Sequence, residues 1–181
     1  GLNNPFTSQL TNQQRKAINS VRANQDRFTC FLLQGVTGSG KTRIFIELIR
    51  SSIQKGKQIL LLVPEIGLSG QMETRIYEKL NGTLAISHSG LSDKARAGAF
   101  VAASHGQAHV LIGTRSALFT PMPNLGLILI DEEHDSAYKN QEGMRYSARD
   151  LAIIRAQNLG IPIILSSATP SMESWSASES K

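Results

Sequence analysis

The string GVTGSGKT at residues 35–42 constrains the fold of this chain more than any other feature. It fits the pattern G-x-x-x-x-G-K-[ST], in which glycines let backbone N–H groups turn toward phosphate oxygens without Cβ clashes. The apolar run FTCFLL precedes it and the amphipathic run RIFIELIR follows it. This context predicts a strand, a phosphate-binding loop and a helix, rather than a Gly-rich turn that carries Lys-Thr by chance.

The last two side chains of the loop have separate expected tasks. Lys41 is expected to reach the β and γ phosphates as a point charge, and the Thr42 hydroxyl is expected to bind Mg²⁺. The N-terminus of the following helix adds a partial positive charge. The candidate nucleotide-binding residues of the loop are Gly35, Val36, Thr37, Gly38, Ser39, Gly40, Lys41 and Thr42.

Apolar runs and amphipathic stretches alternate along the rest of the chain. Strands are expected at 27–33, 58–64, 83–88, 108–114, 126–131 and 161–167, and helices at 11–24, 41–54, 67–80, 91–104 and 148–158. Strands that are continuously apolar and separated by helices are typical of a parallel sheet covered on both faces. We therefore expect an α/β fold with a mostly parallel central sheet and ligands at the carboxyl ends of its strands.

The string LILIDEEH places two adjacent carboxylates at one such strand end. Asp131 can hold Mg²⁺ there, and Glu132 can orient or deprotonate an attacking water. Two neighbouring carboxylates at a strand end repel each other unless a cation is present. The alternative interpretation is an acidic turn that is only exposed to solvent. Further candidates follow other strands. Arg115, with Thr114 and Ser116, could bind the phosphate backbone of a nucleic acid, and the alternative is that Arg115 is only a surface residue. Ser167 and Thr169 offer hydroxyl groups close to the same edge of the sheet.

Composition narrows the setting of the protein. The net charge of the 181 residues is +5, which favours polyanionic partners. Because the basic residues are scattered along the chain, the alternative is that they only form a solvated surface. The single cysteine, Cys30, lies in an apolar run and is expected to be a small core residue. Together with the absence of a signal-like or membrane-spanning apolar run, it suggests a reducing, cytosolic setting.

The motifs, in this order, resemble those of superfamily 2 helicases, and across nearly the whole chain those of the primosomal replication-restart helicases. The strings that carry the resemblance are LLQGVTGSGKT, LLLVPEIGL, SHSGLSD, VLIGTRSALFTP, NLGLILIDEEHDSAYKNQEGMRYSARDLA and SSATPSMES. The resemblance implies a three-layer RecA-like P-loop NTPase fold, ATP and Mg²⁺ as cofactors, and a bacterial cytoplasmic location. Implied partners are single-stranded and forked DNA, primosome proteins and single-stranded DNA-binding protein, with no membrane.

The resemblance also implies roles for individual positions. Gln14 falls where the family reads adenine. The implied catalytic residues are Lys41, Asp131, Glu132 and His134, with Thr42 and Asp131 on the metal. The implied DNA contacts are Pro64, Glu65, Thr114, Arg115, Ser116, Tyr138, Lys139, Arg145, Tyr146 and Arg149. Ser167, Ala168 and Thr169 form the motif that couples the state of ATP to the grip on DNA.

The chain departs from the family pattern at three positions and in its extent. Arg43 stands where glutamate is usual, Met144 where phenylalanine is usual, and Ser147 where histidine is common. The motifs stop after Thr169, so residues 1–170 are expected to form the first motor lobe and 171–181 the frayed start of a linker to a missing second lobe. That lobe would supply the arginine finger that completes ATP hydrolysis. The family's zinc site is not expected in this chain, because the chain has one cysteine.

The function expected from the resemblance is the ATP-binding lobe of a DNA-dependent ATPase and 3′-to-5′ helicase that unwinds forked DNA and promotes primosome assembly in replication restart. The isolated lobe is expected to be nearly inactive. Two alternatives are another superfamily 2 DNA translocase and a non-catalytic nucleotide-binding module that docks a partner. ATP turnover with and without forked DNA would separate the three.

Overall fold

The computed structural model describes residues 10–34, 38–64, 74–80, 84–87, 90–131, 147–167 and 174–178. The helices are α1 (Asn12–Ala23), α2 (Gly38–Gln54), α3 (residues 74–80), α4 (Asp93–Ser104) and α5 (Ala148–Leu159), with a 3₁₀ helix at Arg115–Phe119. The strands are β1 (Thr29–Gln34), β2 (Gln58–Leu62), β3 (Leu84–Ser87), β4 (Val110–Gly113), β5 (Leu125–Ile130), β6 (Pro162–Ser167) and β7 (Ser174–Ser178).

The strands form one sheet in the order β3-β4-β2-β5-β6-β1-β7. Every pairing among β1 to β6 is parallel, and β7 runs antiparallel to β1. The central strands β2, β4, β5 and β6 are buried at every residue, as expected for strands covered on both faces. The predicted α/β fold with a mostly parallel sheet is therefore confirmed.

Each face of the sheet has its own core. On one face, α1 and α2 contribute large side chains, among them Ile18, Phe45 and Ile49, which pack against Phe31 and Leu129 of the sheet. On the other face, α4 and α5 contribute mainly alanines, which are Ala99, Ala103, Ala148, Ala152 and Ala156. Small side chains let these two helices lie close to the sheet, where its strands supply the leucine and isoleucine bulk.

Three helices begin at side-chain caps. Thr11 forms a capping box with Gln14 at the start of α1, and Ser92 accepts a hydrogen bond from Ala95 N at the start of α4. The side chain of Ser147 accepts a hydrogen bond from Asp150 N at the start of α5. Gly160, with φ of 65°, ends that helix in the left-handed conformation.

The end of the chain differs from the sequence expectation. Residues 171–181 were expected to be a frayed tail, yet Ser174–Ser178 pair with β1 from Gln34↔Ser174 to Cys30↔Ser178. This pairing covers the outer edge of β1, which would otherwise expose unpaired backbone groups. Fraying is therefore wrong for β7, while a linker to a second lobe stays a prediction.

Cys30 is partly buried and packs against the α4 and α5 core, as expected for a small apolar side chain. In the described ranges, no helix combines the length and apolar character needed to cross a membrane.

Candidate functional site

The carboxyl ends of the parallel strands bring the sequence motifs to one edge of the sheet. Leu62 of β2 is in register with Gly113 of β4 on one side and with Ile130 of β5 on the other. Farther along the sheet, Gln34 of β1 is in register with Ser167 of β6. The segments that follow these residues in the chain therefore leave the sheet at the same edge, as predicted.

A buried ion pair joins two of the predicted site residues at this edge. Lys41 Nζ lies 2.5 Å from Asp131 Oδ1, and the side chains are only 8% and 7% exposed. Lys41 comes from the first turn of α2, and Asp131 directly follows β5. Because an unpaired charge at this depth would be costly, each group compensates the other.

Two further hydrogen bonds fix Asp131. Its backbone N–H donates to Leu62 O at 2.9 Å, which continues the pairing of β5 with β2. The Ser166 hydroxyl donates to Asp131 Oδ1 at 3.3 Å. Ser166 was not among the predicted site residues, because in a strand neighbouring side chains point to opposite faces and the sequence does not indicate which serine of the pair 166–167 faces Asp131.

The remaining groups of the loop are only partly described. Thr42 is buried beside Lys41 at the start of α2, a helix of 17 residues whose first N–H groups have no acceptor within the helix itself. Gly38, Ser39 and Gly40 form the first helical residues, while residues 35–37 lie outside the described ranges. An amine, a carboxylate, a hydroxyl and a helix N-terminus are a suitable set of groups for a phosphate anion and a hard cation.

Gln14, the expected adenine reader, is engaged in the capping box of α1. Its side-chain oxygen accepts from Thr11 N at 3.0 Å, and Thr11 Oγ1 accepts from Gln14 N at 3.1 Å. The side chain is therefore held in a defined position at the start of the helix. Its role toward adenine stays a prediction.

The segment after β4 forms a 3₁₀ helix, Arg115–Phe119, that the sequence did not predict. Thr114 N donates to Ser87 O at 3.2 Å, and Ala117 N donates to Thr114 O at 2.9 Å. Arg115 and Ser116 are exposed, which a contact with an extended phosphate chain would require.

The other predicted DNA contacts are placed unevenly. Pro64 is buried, so the structure gives no support to a direct contact by its side chain. Arg149 lies in the first turn of α5, where its guanidinium is 3.4 Å from the carboxylate of Asp150. Glu65, Tyr138, Lys139, Arg145 and Tyr146 lie outside the described residues, as do the catalytic candidates Glu132 and His134 and the coupling residues Ala168 and Thr169.

Ser167, the first coupling residue, is buried at the end of β6, next to the strand that leads into the glycine-rich loop. Within the described part of the chain, no group of three His, Cys, Asp or Glu side chains is placed to hold a metal ion.

Comparisons with known proteins identify the family of the chain. The family model of the DEAD/DEAH box helicases matches residues 11–176, and the chain belongs to this family. It is 48% identical to the replication restart protein PriA of Haemophilus influenzae over 176 residues, and 42% identical to that of Bacillus subtilis over 172 residues. The match covers 95% and 94% of this chain but only 24% and 21% of the two relatives. The resemblance to the replication-restart helicases is therefore confirmed, and the chain spans about a quarter of the length of these relatives.

Solved structures support the fold. RecG bound to a three-way DNA junction superposes with a TM-score of 0.65 at 25% identity, covering 90% of this chain and 21% of that one. The helicase domain of Pyrococcus furiosus Hef superposes with a TM-score of 0.63 at 19% identity, covering 94% of this chain and 35% of that one. The predicted RecA-like helicase lobe is confirmed.

Proposed function

We propose that the chain is the ATP-binding first motor lobe of a DNA-dependent ATPase and 3′-to-5′ helicase that unwinds forked DNA and promotes primosome assembly in replication restart. The observation that carries the proposal is the buried pair of Lys41 and Asp131 at the carboxyl edge of the sheet. The sequence identity to two PriA proteins supports the proposed role of the whole protein in replication restart. A cytosolic setting and contacts with primosome proteins and single-stranded DNA-binding protein belong to the same proposal.

The groups of the site fit a magnesium nucleotide. Lys41 would bind the β and γ phosphates, and Asp131 with Thr42 would hold Mg²⁺, which neutralises phosphate charge when it is bound. Glu132 would orient or deprotonate the attacking water, and His134 would complete the motif. To bind phosphate, the amine of Lys41 would have to turn away from Asp131, and the carboxylate could then hold the cation.

The DNA would run along the same edge of the sheet. Thr114, Arg115 and Ser116 would contact phosphates, which requires no particular base sequence. Pro64, Glu65 and the aromatic and basic residues between Asp135 and Arg149 are further proposed contacts, and Ser167 to Thr169 are proposed to couple the two sites. RecG, which is similar in fold, was solved on a three-way DNA junction, and this supports a branched DNA substrate.

ATP turnover by a protein that joins this lobe to its second motor lobe tests the proposal. Turnover is measured without DNA, with single-stranded DNA, and with a fork that carries a 3′ arm. We expect DNA to stimulate turnover and the fork to be unwound. Glu132→Gln should retain ATP binding but lose turnover by roughly 10²- to 10⁴-fold, because the amide keeps the shape and cannot take a proton.

The two rival functions give different results in this assay. Stimulation by DNA without unwinding of the fork would indicate another superfamily 2 translocase. Nucleotide binding without turnover under any DNA condition would indicate a docking module and overturn the proposal.

A further inference from the structure

A side chain from α5 holds one end of the 3₁₀ helix. The guanidinium of Arg155 donates to Leu118 O through Nη1 at 2.5 Å and to Thr120 O through Nη2 at 2.8 Å. Both carbonyls lie at the C-terminal end of the 3₁₀ helix, where helical carbonyls lack partners within the helix and basic side chains often bind. Because a guanidinium is a rigid planar fork, two bonds from it fix the orientation of that end as well as its position.

The 3₁₀ helix also has backbone hydrogen bonds of its own. Two of its backbone bonds, Ala117 N to Thr114 O at 2.9 Å and Thr120 N to Ala117 O at 3.1 Å, are of the 3₁₀ type, which has poorer geometry than the α-helical type. At the opposite end, Thr114 N donates to Ser87 O at 3.2 Å, and the backbone of Gly113 lies directly against the side chain of Ala117 in the middle of the helix. These contacts hold the first part of the helix, and the two bonds from Arg155 hold its C-terminal end.

The restrained helix presents two different sides. Ala117 and Leu118 are buried against the sheet, whereas Arg115, Ser116 and Phe119 are exposed. A shift at the C-terminal end would therefore reorient the exposed groups that are proposed to meet phosphates.

Resting on the proposed function, we propose that Arg155 is a positioning residue for DNA binding. It holds the 3₁₀ helix so that Arg115 and Ser116 meet the phosphates of a single strand, and it does not bind DNA itself. Its guanidinium is half buried and engaged with two backbone carbonyls. Burial lowers the pKa of Arg155, but an arginine is protonated at neutral pH, so both donors are retained.

Binding of a fluorescent oligo-dT to this chain at low salt tests the proposal. Arg155→Met keeps the apolar stem and removes the fork. It should weaken binding by roughly 3- to 10-fold, and it should reduce the slope of log K against log salt by about 0.7 for each phosphate contact that is lost. Arg115→Ala should have a similar effect. The loss in the double variant should be smaller than the sum of the two single losses, because Arg155 acts in part through Arg115.

Arg155→Lys separates positioning from charge. A lysine keeps the positive charge but cannot bridge both carbonyls in one plane, so we expect it to bind DNA as weakly as Arg155→Met. Normal DNA affinity in Arg155→Lys, or additive losses in the double variant, would mean that Arg155 contacts phosphate directly and would overturn the proposal.

Arg96→Met is a matched control, because Arg96 lies on α4 on the same face of the sheet and its side chain pairs with Asp93, three residues earlier in the same helix. This variant should bind DNA like the unchanged chain. Binding of MgADP should be unchanged in all variants, and a parallel loss of MgADP affinity in Arg155→Met would indicate general destabilisation and overturn the proposal.

Hydrogen exchange gives a readout without DNA. The amides of Ala117 and Thr120 should exchange several-fold faster in Arg155→Met than in the unchanged chain, and equal rates would overturn the proposal. If the unchanged chain binds DNA and Arg155→Met binds it equally well, only this inference fails. If the unchanged chain ignores DNA at low salt, the proposed DNA function fails as well.

Discussion

At Gly113, the absence of a side chain allows β4 to pass directly beneath the 3₁₀ helix. A Cβ atom there would lie 2.3 Å from the Ala117 Cβ and 2.8 Å from Ser87 O. Neither neighbour is the end of a flexible side chain, so the backbone would have to shift. Packing against Ala117 and Ser87 therefore explains the glycine in the string GTRSALF.

We predict that Gly113→Ala destabilises the fold by about 1–3 kcal/mol, the usual cost of overpacking. Gly98→Ala is the matched control, because Gly98 lies on α4 and a Cβ there meets no atom within 4 Å. That change should stabilise the fold by about 0.5–1 kcal/mol, since alanine is the better helix former. Urea unfolding of both variants measures the two changes, and equal stabilities would contradict the close approach at Gly113.

The sequence motifs identified Lys41 and Asp131 as site residues, but they did not predict that the two side chains contact each other. A pattern gives the type and spacing of residues within one segment, whereas the ion pair depends on how α2 and β5 are placed in space. Arg155 and Ser166 were missed for the same reason. Each binds a partner that is distant in the chain, and neither belongs to a spacing pattern that indicates it.

Helix α5 was predicted from its local sequence, whereas two other elements were not. Its start at Ala148 was predicted, and the structure supplies the reason: Ser147, which departs from the family pattern, caps the helix by accepting from Asp150 N at 3.2 Å. The 3₁₀ helix and β7 were not predicted. The former is too short to have a hydrophobic period. The latter alternates over only five residues, with Trp175 and Ala177 between serines, and its strand state depends on the available edge of β1.

Removing the cap of α5 should weaken the fold. Ser147→Ala is predicted to cost about 0.5–2 kcal/mol, because one N–H group of the first turn loses its acceptor. Ser147→Asn should retain the stability, since asparagine is an equally good cap. Chemical denaturation of both variants measures this, and a Ser147→Ala protein as stable as the parent would show that the cap contributes nothing.

The cap also affects a nearby acid. Partial burial raises the pKa of Asp150, but hydrogen bonds from Ser147 and the charge of Arg149 outweigh it, so the pKa is lowered overall. Because the folded state holds the ionised carboxylate, its stabilising effect is present above the unfolded pKa and is lost as the pH falls through the folded value.

Across the complete sheet, the sequence predicted the alternation of strands and helices but not the strand order. The runs ILLLV, VLIG and LGLILI are chemically alike, so nothing in them indicates that β2 lies between β4 and β5. What the alternation did predict is that parallel strands end at one edge, and the structure brings the segments that follow these strands to that edge.

The central claim is that this edge binds a magnesium nucleotide through Lys41, and calorimetry with MgADP tests it most directly. The control is Lys57→Ala, which removes an exposed lysine just before β2 at the opposite edge of the sheet. Melting temperatures recorded first establish that each protein is folded. We predict weak binding by the unchanged chain, the same affinity in Lys57→Ala, and no detectable binding in Lys41→Ala, because the charge that faces the phosphates is gone. A folded Lys41→Ala protein that binds MgADP as well as the unchanged chain would contradict the account.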